Sequence, residues 1–420
     1  MGLVTAMVST LRGGALPRER LEVLRRRRLE ALVRHAAENS PFYGELYGKT
    51  DGRVRLEDLP PVTKPQMMAE FDRVVTDREI TLRRIEEFTR DIENVGCMIA
   101  GKYLVFKTSG STGNPALVLY DRRMIAVSSA VAALRTFARQ EDLKAFLRHG
   151  KKTAGVFADN GFYLACGMSR HMQLKMPARQ SKITVDVNLP EEEIAARLSA
   201  FGPAMLSGYP SNLALLADRE DLDIRPDVVV TGGELLTDAV RKKLSSRFGC
   251  TVQTHYSCTE GGEVACECAE GHLHVNEDWV ILEPVDREGR PVPCGTLSDR
   301  VILHDEKCPC GRHTRWLEIE GRTDDVLDLG NGVRVAPMSL YRILEEVPSV
   351  RRFQLVQTSP RALELRLVSD APDAAFAGAK AALKSFLAEK GAADTEITLS
   401  DTEPMADPVS GKFRHVTRRV

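Results

Sequence analysis

Residues 227–256 read DVVVTGGELLTDAVRKKLSSRFGCTVQTHY. Three successive valines, a glycine pair, a charge-rich stretch with leucines at helical spacing and a second β-type run give strand, turn, helix, strand. The valine run does not alternate with polar residues, so the strand is expected to be covered on both faces. Working outward, TAGVF (153–157) and AMLSG (204–208) are further β-type runs, separated by helical patterns over 191–201, 213–219 and 237–248. That alternation predicts an α/β class with layered helices and a largely buried sheet. Towards the N-terminus, 18–38 reads as an amphipathic helix ending before Ser40-Pro41, with further helices over 81–94 and, alanine-rich and buried, 122–139.

Around Gly321 the pattern changes. EGRTDDVLDLGNGVRV (320–335) mixes charges and glycines as a hinge and hairpin do. A helix (338–346), strands FQLVQ and ALELRLV, a helix (374–390) and strand EITLS follow, an α+β module of about a hundred residues. A chain of 420 residues is longer than single cores usually grow, and the reading divides it at Asp324 into domains 1–323 and 324–420.

A net charge of -1 gives no global attraction to nucleic acid or to a membrane surface. The basic run from Arg25 to Arg28 reads as a solvated helix face. The longest apolar run, around 125–134, is about half a membrane span. The first residues lack a cleavage pattern, and nine cysteines, several of them clustered, suit reduced thiols and metal binding. A cytoplasmic location is therefore expected.

The stretch KTSGSTGNP (107–115) offers backbone N–H groups and hydroxyls from Ser109, Gly110, Ser111, Thr112 and Gly113, as wrapping a polyphosphate requires. No Gly-Lys-Ser/Thr follows, so it is not a Walker loop, and by itself it reads more readily as a turn than as a nucleotide grip. TGGE (231–234), HYSCTEGGE (255–263), GRTDD (321–325) and SGKFR (410–414) follow in order. Together these motifs resemble the adenylate-forming superfamily of acyl-CoA synthetases. With SPFYGELY (40–47), DLPPVTK (58–64) and ECAEGHLHVNED (267–278), the chain looks like its phenylacetate-CoA ligase branch over nearly its whole length.

The resemblance implies a large N-terminal layered α/β domain and a small mobile α+β lid swinging about Asp324. It implies ATP and Mg²⁺ as cofactors: the Ser109–Gly113 loop around the β/γ-phosphates, Gly232, Gly233 and Glu234 flanking adenine, and Tyr256 stacked on the base. Thr259 would reach the α-phosphate, Glu260 would hold magnesium, Arg322 would bond the ribose and Lys412 would bridge carboxylate and α-phosphate. Phe162, Gly208 and Tyr209 would line a slot for a flat apolar acid. The family's Tyr-Arg/Lys-Thr-Gly-Asp-like segment is missing between 295 and 308, where GTLSD runs into RVILHDE. Asp299 is the candidate replacement, and the chain looks short there by a strand and a turn.

Cys266, Cys268, His272, His274, Cys308 and Cys310 have the donor types and spacing of a closed tetrahedral zinc site, with unliganded thiols as the alternative. The branch's EC…LH…C-x-C pattern selects Cys268, His274, Cys308 and Cys310, with Cys266 in reserve. The implied reaction is adenylation of a carboxylic acid, aryl or arylacetic, and transfer to the thiol of CoA. Transfer to a carrier protein or an amine, AMP transfer to a deazaflavin-type cofactor, and a nucleotide-binding remnant stay open, as does a homodimer.

Overall fold

The computed structural model describes residues 1–48, 54–108, 116–159, 161–175, 181–284, 294–297, 299–322, 326–330, 332–335, 337–408 and 411–419. The chain forms two compact units. One comprises Met1–Leu236, Arg241–Leu282 and His304–Leu317; the other comprises Thr237–Val240, Glu283–Leu303 and Glu318–Val420. The expected boundary residue, Asp324, lies outside the described residues.

In the first unit, β1 (Tyr103–Lys107) and β2 (Leu117–Asp121) form an antiparallel hairpin. The central sheet uses β3 (Thr153–Phe157), β4 (Lys182–Asp186), β5 (Met205–Gly208), β6 (Val228–Gly232), β7 (Thr251–Cys258), β8 (Gly262–Glu267) and β9 (Leu273–Val275). Their spatial order is β9-β8-β7-β6-β5-β3-β4. The five strands from β4 to β7 run parallel; β8 and β9 then turn back antiparallel. Val228, Val229, Val230 and Thr231 are all buried, as a parallel strand covered on both faces requires.

The helices differ from the sequence reading in local detail. The expected helix over 81–94 stops at Thr89, because the Asp91 carboxylate accepts from the Glu93 amide at 3.0 Å and starts a separate 3-10 turn, Ile92–Asn94. The helix expected to reach 139 spans Arg122–Arg135, capped by the Asp121 carboxylate on the Met124 amide at 2.7 Å. The helix expected over 213–219 is Pro210–Leu216, because proline suits a first turn. A helix at Leu3–Gly14 was not anticipated.

Buried charge ties the N-terminal helices to the sheet. Asn276, Glu277 and Asp278 are each no more than 2% exposed. Arg135 grips Asp278 through two nitrogens, at 2.8 and 2.7 Å, and Asn276 at 2.8 Å, while Arg315 and Arg25 face Glu277 at 2.8 and 3.3 Å. Arg28 donates to the Asp278 carbonyl and lies 3.5 Å over the Trp279 ring. The basic run is therefore partly structural rather than wholly a solvated face.

In the second unit, β10 (Cys294–Leu297) and β11 (Asp299–His304) pair antiparallel. This pair occupies the stretch from which the family segment is missing. β12 (Trp316–Arg322) leads from one unit into the other. β13 (Leu327–Asp328) and β14 (Arg334–Val335) make a small hairpin. A four-stranded sheet follows, built from β15 (Val350–Ser359), β16 (Ala362–Ser369), β17 (Glu396–Leu399) and β18 (Val416–Arg418), in the order β17-β16-β15-β18. Helices Pro337–Glu345 and Pro372–Glu389 complete this unit. Among the described residues no helix is long and apolar enough to cross a membrane.

Candidate functional site

Parallel strands send all their C-terminal ends to one edge. Here that edge collects 157–159 after β3, Gly208-Tyr209 after β5, the glycine turn after β6 and the tip of the β7–β8 hairpin. The sheet order places the switch between β3 and β5, since β4 lies outside β3 while β5 to β7 extend the other way. Ligands of open α/β sheets sit in such a crevice.

The glycine turn is demanded by backbone geometry. Gly233 has φ of +79°, a region that side chains other than glycine rarely enter, and it follows Gly232, which pairs with His255 of β7. Glu234 then turns back, accepting from the Ser211 amide at 3.2 Å at the start of the Pro210–Leu216 helix. Tyr256 is half-buried on β7 opposite Ala265.

The hairpin tip holds Thr259, Glu260 and Gly261. Tyr120, fully buried on β2, donates to the Thr259 carbonyl at 2.9 Å and fixes the tip against the β1–β2 hairpin. Burial, with Cys258, Glu260 and Glu263 nearby, pushes the Tyr120 phenol up, so it stays a neutral donor. Glu260 is exposed and meets the Lys64 ammonium at 2.5 Å. Lys64 opens a helix (Lys64–Ala69) held by a reciprocal cap between Thr63 and Gln66. Lys64 stood inside a recognised motif without an assigned role. Its pairing with a glutamate so distant in sequence left no local signal.

The Ser109, Gly110, Ser111, Thr112 and Gly113 loop lies outside the described residues. Its flanks are closed by Thr108 donating from its amide to the Ala116 carbonyl at 2.9 Å, and by the Ala116 amide donating back to Thr108 Oγ1 at 2.8 Å. The expected polyphosphate loop therefore joins the two strands of the β1–β2 hairpin.

The acid-slot residues are placed less openly than expected. Phe162 is 4% exposed inside a cluster with Phe71, Ile80, Ile85, Val105 and Cys166, so it packs as core and has little ring left to line a slot. Tyr209 is 7% exposed, its ring edge-on to Phe157 at 5.3 Å. Gly208 leaves no room for a side chain, since a Cβ there would lie 3.0 Å from Leu213 and 3.1 Å from the Val156 carbonyl.

The structure brings Cys268, His274, Cys308 and Cys310 together, with their ligand atoms all within 4.8 Å of one another. Cys268 and Cys308 sulfurs are 3.8 Å apart, and Cys310 Sγ is 3.3 Å from His274 Nε2. His274 Nδ1 faces the Thr314 carbonyl at 3.0 Å, which fixes the tautomer that offers Nε2 to the sulfurs. Burial holds His274 down at about 4, hence neutral. Three sulfurs and one imidazole nitrogen fit a tetrahedral zinc. His272, which lies outside this set, approaches Cys308 Sγ at 3.2 Å and stacks on Trp316 at 4.1 Å.

In the second unit, Lys412 lies in an anchored loop. The Asp407 amide donates to the Lys412 carbonyl and the Gly411 amide to the Asp407 carbonyl, both at 2.8 Å. Phe413 beside it is 4% exposed, with the Arg352 guanidinium 4.1 Å over its ring. Arg322 closes β12, and Asp299 opens β11 opposite Leu297.

No protein-family model matches the chain. It is 28% identical over 378 residues to a phenylacetate-coenzyme A ligase of Thermus thermophilus, covering 80% of this chain and 77% of that protein. To the phenylacetate-coenzyme A ligase of Escherichia coli it is 25% identical over 360 residues, 77% of this chain and 75% of that one. A crystal structure of 2-hydroxyisobutyryl-CoA ligase in the postadenylation state superposes with a TM-score of 0.67 at 18% identity, over 97% of this chain and 91% of that one. The fold is that of the adenylate-forming ligases. In sequence the chain is similar to phenylacetate-coenzyme A ligases, and in fold to the structure of 2-hydroxyisobutyryl-CoA ligase.

Proposed function

We propose that the protein is an AMP-forming acid–CoA ligase acting on an aryl or arylacetic acid. The observation that carries this reading is the carboxyl edge of β5, β6 and β7. There the Gly232-Gly233 turn and the Thr259-Glu260 tip share one rim, in a chain with phenylacetate-CoA ligases among its sequence relatives.

Two anions must be brought together, so the protein's contribution is charge neutralisation and alignment. Gly232, Gly233 and Glu234 flank the adenine, Tyr256 stacks on it, Arg322 and Asp299 meet the ribose, and Ser109, Gly110, Ser111, Thr112 and Gly113 wrap the outer phosphates. Thr259 donates to the α-phosphate. Glu260, exposed at a turn and offering hard oxygen donors, suits Mg²⁺, which neutralises phosphate charge when bound. Lys412, carried by the C-terminal lid, sets its ammonium between carboxylate and α-phosphate. The acid oxygen attacks the α-phosphorus and pyrophosphate leaves. The CoA sulfur then attacks the acyl carbonyl and AMP leaves, the thiol proton passing to solvent. Gly208 and Tyr209 border the acid, and Cys268, His274, Cys308 and Cys310 would hold a zinc ion that pins two loops.

Acid-dependent exchange of pyrophosphate into ATP, run with aryl, arylacetic and fatty acids, tests the first half-reaction. Exchange is expected with aryl or arylacetic acids, followed by AMP release only when CoA is added. ATP binding without exchange for any acid overturns the reading. Exchange without CoA-dependent AMP release moves the acceptor to a carrier-protein thiol or an amine.

A further inference from the structure

Behind the nucleotide-side hairpin lies a second group of metal-ligand side chains that the reaction does not use. His255 on β7 and Cys266 on β8 are directly opposed, so their side chains share one face of the sheet. Glu263 stands three residues before Cys266, which in a regular strand would put it on the other face. The register shifts between Tyr256 and Ser257, which pair with Ala265 and Glu263, so Val264 is an extra residue. That bulge turns Glu263 onto the face of His255 and Cys266.

The ligand atoms of the three residues lie within 4.8 Å of one another, and His255 Nδ1 is 3.6 Å from Glu263 Oε2. Neighbouring ligands on a tetrahedral zinc stand roughly 3.3–3.8 Å apart, given bond lengths of about 2.0–2.3 Å. Glu263 Oε2 is shut off from solvent without a hydrogen-bond partner among the described residues. Such atoms are costly to bury unless something meets them. Asn276 supports two of the three, donating to the Glu263 carbonyl at 2.7 Å and to Cys266 Sγ at 3.6 Å. Ala126, Val127, Ala130 and Val131 pack around Cys266.

We propose that His255, Glu263 and Cys266 form a second, structural site for a zinc-class divalent cation. Nitrogen, oxygen and sulfur donors together suit a borderline cation and disfavour magnesium or calcium. One thiolate and one carboxylate neutralise a divalent charge, which is what an apolar surround tolerates. The ion clasps the β7–β8 hairpin from behind. Its binding breaks the thiol S–H bond, and the proton leaves to solvent.

The test is metal content per chain in full-length protein from zinc-replete culture: wild type, Cys308→Ala, Glu263→Gln and the double variant. Two equivalents are expected for wild type, one for each single variant and none for the double. His255→Gln repeats the measurement should Glu263→Gln not fold. Cobalt loading of Cys308→Ala should give a sulfur-to-cobalt charge-transfer band that Cys266→Ala abolishes. An equivalent lost from Glu263→Gln but kept in Cys308→Ala supports the site whether or not the Cys308 cluster is loaded. One equivalent in wild type that survives Glu263→Gln overturns it, as does a single equivalent lost equally in both variants.

Discussion

Individual residues here are constrained by neighbours far away in sequence. Gly262, the first residue of β8, has φ of +72°, and a Cβ there would lie 3.1 Å from Ser128 Oγ. Gly262→Ala should destabilise the protein by about 1–3 kcal/mol, read as a lower denaturant midpoint, because strain and crowding add. An unchanged midpoint would count against the backbone described. Lys412→Ala should abolish pyrophosphate exchange while leaving attack of CoA on preformed acyl-adenylate largely intact. Equal loss of both half-reactions removes its proposed role. Glu260→Gln should raise the magnesium concentration for half-maximal exchange at least tenfold; an unchanged magnesium dependence would mean that other groups hold the ion.

At the scale of elements, charge pairs and buried rings decide what holds. Asp278 is 1% exposed and gripped by Arg135. Asp278→Ala would leave that guanidinium uncompensated and cost about 3–5 kcal/mol, seen as early loss of the N-terminal helices in hydrogen exchange. His415, packed between Tyr341, Phe353 and Phe413, is held down at about 4 by burial. Its unfolded value is 6.5, so from 6.5 down to about 4 the unfolded chain binds a proton that the folded chain refuses. The C-terminal unit should therefore lose about 3 kcal/mol of stability across that window as pH falls. His415→Phe should flatten the acid limb of its unfolding midpoint plotted against pH; an unaltered profile would assign the acid sensitivity to other groups.

For the whole molecule, bound metal is linked to folding. A strong chelator should remove zinc from the Cys268, His274, Cys308 and Cys310 cluster and lower Tm, and added zinc should restore it. A Tm indifferent to chelation, with no zinc lost, would make these thiols merely packed.

The sequence by itself determined the α/β class, the late α+β module and the order of the glycine and threonine-glutamate motifs. Those rest on local patterns: an unbroken valine run, a glycine pair and leucines at helical spacing. It also supplied six candidate ligands, because C-x-C and nearby histidines are local as well, and the family resemblance selected the four that the structure brings together. Only the tertiary structure decided that Lys64 meets Glu260, that Phe162 is core, that Arg25 and Arg135 clamp buried acids, and that a bulge at Val264 turns Glu263 towards Cys266. Each of these depends on which surfaces exclude water together. Burial, pairing and strand register belong to the folded arrangement, and local sequence pattern does not report them.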